Sequence, residues 1–212
     1  MHRHSVRFRF TDDELREICR KCDADRQIFH KNDTILSQSS DDDRISIIDS
    51  GCAYLVSINI NGGTAIIDIY EEGDIFSKLL FPLYSVNLYY VYAKKQTEVT
   101  MLSVSRLKEG YLSGDPLLTK FYELMLMNSN SQRMIHNDVL SQKTIREKLM
   151  TYFRYISLRS EKSEIVLPIS LADLADYIAV DRSAMMREIR NLNNEHIIHS
   201  KGIKINLLQH YK

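Results

Sequence analysis

The stretch LADLADYIAVDRSAMMREIRNLNNEHII, Leu171–Ile198, decides how the rest of the chain is read. Ser170 stands before it as a helix N-cap, with Asp173 three residues on at the capping-box position. The first helix puts Leu174, Ala175 and Ile178 on one face, and Ala175 is small where two crossing helices must approach closely. Ala179-Val180-Asp181 separates it from a second helix capped by Asp181. There Met185, Ile189 and Leu192 step by four and three, so they share the face expected to be buried. Ser183, Met186, Arg187 and Arg190 fall on the other face, with Arg182 beside them at the helix start. Downstream, HIIHSKGIKINLL reads as two strands turning at Lys201-Gly202.

Helix, tight turn, Arg-rich helix and hairpin are the parts of a helix-turn-helix with a wing. The side chains suit DNA. A guanidinium is a planar donor fork that matches guanine O6/N7 or phosphate oxygens. Ser183 can donate to a phosphate or a base, and Met186 offers an apolar contact such as a thymine methyl. Lys201 and Lys204 at the wing are expected to meet backbone phosphates. The plain alternative is a solvated basic face on a structural helix.

The whole chain is electrically neutral, with 28 Lys+Arg against 28 Asp+Glu in 212 residues. The balance is uneven. From Lys143 onward there are 12 Lys+Arg and 8 Asp+Glu, a net of +4, so the part before it carries −4. An acidic front and a basic back imply modules with different neighbours. The start, MHRHSVRFRF, lacks the apolar run of a signal peptide, and no apolar run is long enough to span a membrane. Three cysteines without a secretory signal fit a reducing cytoplasm.

Upstream, TDDELREICRKC (Thr11–Cys22) reads as a short helix with Thr11 and Glu14 as a capping box, and Leu15, Ile18, Cys19 and Cys22 on one face. From Gln27 to about Arg106 the runs RISIID, CAYLVSINI, TAIIDIY, NLYYVYA and EVTMLSV read as strands, with a hairpin turn at Asn61-Gly62-Gly63. Short strands without a long helix between them imply an antiparallel barrel or roll. Asp115-Pro116 suits the N-cap and first position of a helix running to about Asn137. Its residues Leu117, Phe121, Leu124, Asn128, Ser131 and Ile135 keep a 4-3 spacing that suits a dimer seam or packing on its own domain, and the family resemblance given below favours the dimer. SQKTIREKLMTYFRYIS follows as a helix with Ile145, Leu149, Tyr152, Phe153 and Ile156 as its apolar face. The expected organisation is α+β: a β-roll over 1–114, a dimerisation helix over 115–140 and a winged helix-turn-helix over 141–212.

That order resembles the CRP/FNR superfamily of bacterial transcription regulators. IIDSGCAYLVSININGGTAIIDIYEEGDIF (Ile47–Phe76) is similar to the family's cyclic-nucleotide-binding roll, with Gly51, Gly62, Gly73 and a G-D-x-F at Gly73–Phe76. KKQTEVTMLSVSRL resembles the last strand and exit of that roll, and Leu171–Ile198 resembles the C-terminal DNA-reading module. The resemblance covers about Gln27 to Leu208. It implies a homodimer on palindromic double-stranded promoter DNA, with RNA polymerase as a further partner and a small-molecule effector at the roll. Arg182 and Arg187 match the family's base- and phosphate-contacting arginines. Ser183 stands where Glu is common, and Ala179 replaces a commoner glycine, which is tolerable if its backbone is not left-handed.

The family's nucleotide binders follow G-D-x-F with Gly-Glu-Leu and later place Arg with Ser or Thr on the cyclic phosphate. Here Ser77-Lys78 takes the place of Gly-Glu, and Ser85–Tyr92 contains no Arg. A buried phosphate would lack its partner, so a cyclic nucleotide is not expected, although Lys78 offers a cation on another wall. Cys19-x-x-Cys22 invites an iron–sulfur cluster, but only Cys52 remains as a third ligand, and none is expected. His2, His4 and His30 lack recognised metal spacing, and no metal site is assigned. Tyr84, Tyr89, Tyr90 and Tyr92 read as strand core and rim, or as a stacking wall for a planar ligand. The effector stays unassigned. No G-x-S-x-G, H-E-x-x-H or P-loop is present, so an enzyme is not expected. The alternative to a DNA-binding regulator is a sensor or adaptor acting through protein contacts.

Overall fold

Thr11 begins the first helix as expected: its hydroxyl accepts from Glu14 N at 3.2 Å and the Glu14 carboxylate accepts from Thr11 N at 2.7 Å. The structure, a computed structural model, describes residues 9–39, 43–82 and 85–208, with the backbone alone for 128–133. His2, His4 and Tyr84, and the side chains of Asn128 and Ser131, lie outside the described residues.

The elements run α1 (Asp12–Lys21), β1 (Asp25–Phe29), β2 (Thr34–Ser37), β3 (Arg44–Ser50), β4 (Ala53–Ile58), β5 (Thr64–Tyr70), β6 (Ile75–Ser77), a 3-10 turn (Lys78–Leu80), β7 (Leu88–Ala93) and β8 (Thr97–Ser103). They continue with α2 (Val104–Leu112), α3 (Pro116–Ser141), α4 (Ile145–Ser160), β9 (Glu164–Val166), α5 (Leu171–Tyr177), α6 (Arg182–Asn194), β10 (Ile198–Lys201) and β11 (Lys204–Leu207). The fold class is α+β, with antiparallel sheets ahead of the long helix. The chain divides into two compact units between Gln132 and Arg133, inside α3.

In the N-terminal unit two four-stranded antiparallel sheets form, in the orders β1-β8-β3-β6 and β2-β7-β4-β5. Alternation along β3 and β8 decides both cores. Ile48, Val99 and Met101 meet Leu36, Leu55, Tyr70, Phe76 and Val91 in one cluster. Ile45, Ile47 and Leu102 point the other way and are covered by Ile18 and Cys22 of the α1 end, Leu107 of α2, and Leu118, Phe121 and Leu124 of α3. Both faces of these strands are apolar because both are buried. Gly51, at φ +105, turns the chain between β3 and β4; a Cβ there would lie 2.6 Å from Thr97 Cα. Gly110 lets α2 and α3 approach, since a Cβ there would run into the Leu118 side chain.

The first half of the 4-3 stripe expected at a dimer seam, Leu117, Phe121 and Leu124, faces this chain instead. Phe121 and Leu124 are buried in the N-terminal core and Leu117 packs at its edge. Ile135 is half-buried in the other unit. Side chains of the same chain cover Leu117, Phe121 and Leu124, so the alternative reading of packing on its own domain holds for this first half. A helical repeat of about 3.6 residues puts Leu126 of the N-terminal unit on the face of α3 away from Phe121, and it is exposed.

Candidate nucleic-acid interface

In the C-terminal unit, α5 and α6 are each capped where the sequence placed caps. Ser170 Oγ accepts from Asp173 N at 3.1 Å, and Asp181 Oδ1 accepts from Ala184 N at 2.8 Å. Leu174, Ala175, Ile178, Met185, Ile189 and Leu192 are buried. Both helices end in a Schellman motif, where the residue after the C-cap is left-handed. After α5, Val180 N donates to Ala175 O at 3.0 Å and Ala179 N to Asp176 O at 3.2 Å. After α6, Ile197 N donates to Leu192 O at 3.0 Å and His196 N to Asn193 O at 3.1 Å. The left-handed residues are Ala179, φ +53, and His196, φ +55. The condition under which Ala179 replaces glycine without strain is therefore not met.

Several side chains fix α5 and α6 in place. Arg146, near the start of α4, donates from Nε to Glu188 at 2.5 Å and from Nη1 and Nη2 to the two oxygens of Glu195 at 2.7 and 2.6 Å. These contacts keep Arg146 firmly protonated, and its guanidinium holds the Glu195 carboxyl below its ordinary range. Lys148 Nζ donates to Ile178 O at 3.0 Å, a cation at the C-terminal end of α5. Tyr177 of α5 meets His136 edge-on at 4.5 Å and Tyr152 at 5.5 Å between ring centres. None of these partners is visible in a local motif, because they lie on other elements.

Arg182, Ser183, Arg187 and Arg190 are exposed along α6, and Met186 is half-buried beside them. Lys201 and Lys204 are exposed and face each other in the β10–β11 register, with Gly202 at φ +61 in the turn between. β11 also pairs with β9, giving a three-stranded sheet. Among the described residues no acidic side chain pairs with Arg182, Arg187, Arg190, Lys201 or Lys204. The acids on and just after α6, Glu188 and Glu195, are both taken by Arg146. The surface is a cationic ridge whose own counter-charges are engaged behind it, which suits a polyanion.

Where the G-D-x-F stretch enters the roll, aromatic and apolar side chains pack together. Tyr70 and Phe76 stack at 4.9 Å and Phe81 lies 6.1 Å from Tyr89, all within or against the apolar core between the sheets. Ser77 is buried, its hydroxyl donating to Arg44 O at 3.0 Å and accepting from Leu79 N at 3.3 Å. No arginine occurs from Ser77 to Tyr92 to meet a phosphate. Tyr89, Tyr90 and Tyr92 are half-buried on β7, and Tyr92 meets Tyr54 edge-on at 5.8 Å. Burial pushes the Cys22 thiol up to about 11 and the Cys52 thiol up to about 12, and it also raises Cys19. Among the described residues no group of three or more His, Cys, Asp or Glu side chains could hold a metal, and no helix is long and apolar enough to cross a membrane.

No family model matches the sequence, and neither does any curated protein. Solved structures do match. FixK2 from Bradyrhizobium japonicum is 19% identical with a TM-score of 0.71, covering 88% of this chain and 93% of that one. A CooA mutant from Carboxydothermus hydrogenoformans is 13% identical with a TM-score of 0.72, covering 95% and 94%. A CRP-family transcriptional regulator from Thermus thermophilus is 16% identical with a TM-score of 0.59, covering 86% and 92%. At these identities the likeness is one of fold.

Proposed function

From a CRP/FNR-like fold, we propose that this chain is a transcription regulator that binds inverted-repeat promoter DNA as a homodimer. Residues 1–114 form its sensor, 115–140 its dimerisation helix and 141–212 its winged helix-turn-helix. The observation that carries this reading is the unneutralised ridge of Arg182, Arg187 and Arg190 on α6 with Lys201 and Lys204 on the hairpin. In this reading α6 enters a major groove, where Arg187 reads a base edge, Arg182 and Ser183 meet phosphate or base, and Met186 makes an apolar contact. Arg190 and the wing lysines meet the backbone.

The dimer seam in this proposal is the exposed face of α3, not the stripe through Phe121. Leu126 is 43% exposed, and a parallel copy of the helix would cover it. Two copies related by a two-fold axis then offer matching α6 helices to two half-sites. A signal at the roll acts by shifting the population of dimers whose helices are correctly spaced.

Selection of bound fragments from a random duplex pool tests the proposal. Recovery of an inverted repeat supports it; recovery of no sequence above background, with a protein captured instead, favours an adaptor.

A further inference from the structure

We propose that Asn193 pins the wing to the reading helix and is a positioning residue for DNA recognition, an inference that rests on the DNA-binding reading above. Asn193 lies in the last turn of α6. Its Nδ2 donates to Ile189 O at 2.7 Å and to Ser200 Oγ at 2.7 Å, and its Oδ1 accepts from Ser200 N at 2.8 Å. The side-chain amide uses both donors and its acceptor at once, which a carboxylate, a hydroxyl or an aliphatic chain cannot do.

Ser200 sits inside β10, opposite Ile205 of β11. β10 is an edge strand of the three-stranded sheet. An edge strand presents main-chain groups that the sheet does not pair. The Ser200 N–H is such a group, and Asn193 takes it. Between α6 and β10 the chain passes through the left-handed His196 in a turn closed by Ile197 N to Leu192 O and His196 N to Asn193 O. Asn193 braces that turn from the side through Ser200, nearer the wing tip. Lys201 follows the pinned residue directly, and Lys204 faces it across the register. One amide therefore sets where the wing cations stand relative to Arg187 and Arg190 on the same helix. With the pin removed, the charges remain and their spacing is lost. Affinity for any duplex survives, while discrimination between duplexes falls.

The full-length chain carries the test, in two arms. Without DNA, amide exchange of Ser200 quickens by about tenfold in Asn193→Ala, the loss of roughly one net hydrogen bond's protection or slightly more. Asn193→Asp, which keeps an acceptor for Ser200 N, retains most of that protection. With DNA, the ratio of affinities for a selected inverted repeat and a scrambled duplex of equal length falls by about tenfold in Asn193→Ala, and the scrambled duplex is bound within about twofold of the parent because no charge has changed. Ser200→Ala, which keeps the backbone bond, loses less than the Asn193→Ala variant. The proposal is overturned if a folded Asn193→Ala protein shows unchanged Ser200 exchange, or if both duplexes weaken by the same factor. Should the parent protein bind no duplex, the DNA reading fails, and the exchange arm still decides whether Asn193 holds the wing.

Discussion

Arg146 holds Glu195 at two points, Nη1 at 2.7 Å and Nη2 at 2.6 Å, across 49 residues of chain. Bidentate geometry makes this the strongest kind of exposed ion pair, and the third contact, from Nε to Glu188, ties the same guanidinium to the middle of α6. The start of α4 thus anchors the helix that carries the proposed reading residues.

Arg146→Ala is expected to lower the thermal midpoint of the C-terminal unit by about 2–4 °C near neutral pH, a modest value because the partners are solvent-screened. The Glu195 carboxyl is depressed in the folded state, so its contribution is present above the ordinary glutamate value of 4.5 and fades as pH falls below it. Melting curves of both proteins between pH 7 and 3 should converge at the acid end. A gap that widens on acidification would assign the effect elsewhere.

Ala179→Gly and His196→Gly should each stabilise the chain by about 0.5–1 kcal/mol, since a left-handed backbone costs a residue with a Cβ about 1–2 kcal/mol and glycine returns part of that as entropy. Urea denaturation measures it. Destabilisation by either glycine would contradict the left-handed turn.

Phe121→Ala and Leu126→Asp separate the two faces of α3. The first removes a buried ring and should cost about 3–5 kcal/mol of stability. The second leaves folding nearly unchanged and should convert dimer to monomer in sedimentation. A dimer that survives Leu126→Asp but dissociates in a folded Phe121→Ala protein would restore the seam to the 4-3 stripe.

Arg187→Ala should weaken binding to a selected inverted repeat by about 1–3 kcal/mol and leave dimerisation intact. Lys201→Ala should weaken all duplexes alike and reduce the salt slope by about 1. Sequence-dependent loss in Lys201→Ala would make the wing a base reader.

Local chemistry is legible in the sequence. Thr11, Asp115, Ser170 and Asp181 cap the helices they are expected to cap, and Met185, Ile189 and Leu192 are buried opposite the exposed arginines. Each of these rests on residues three or four apart. The stripe through Phe121 misleads because periodicity shows that a face is apolar without saying which body covers it. α2, β1, β2, β6 and β9 are not anticipated as elements; most are too short to display a period. Asn193 and Arg146 are invisible for a different reason. Their partners follow a turn or lie on another element, and an Asn or Arg on a helix looks the same whether it is solvated or bound. Ala179 shows the limit of composition: the motif's shape survives with an alanine where glycine would be easier, and only the backbone angle reveals the strain.

Fluorescence anisotropy of the full-length protein on a labelled inverted repeat, across a salt series, reads whether the cationic ridge takes up duplex DNA. Log affinity should fall linearly with log salt concentration, with a slope of about −0.9 for each phosphate neutralised, and with a shallower slope when Arg182, Arg187 and Arg190 are replaced together. Affinity that is independent of salt, or a triple variant with the parent's slope, would contradict that role of the ridge.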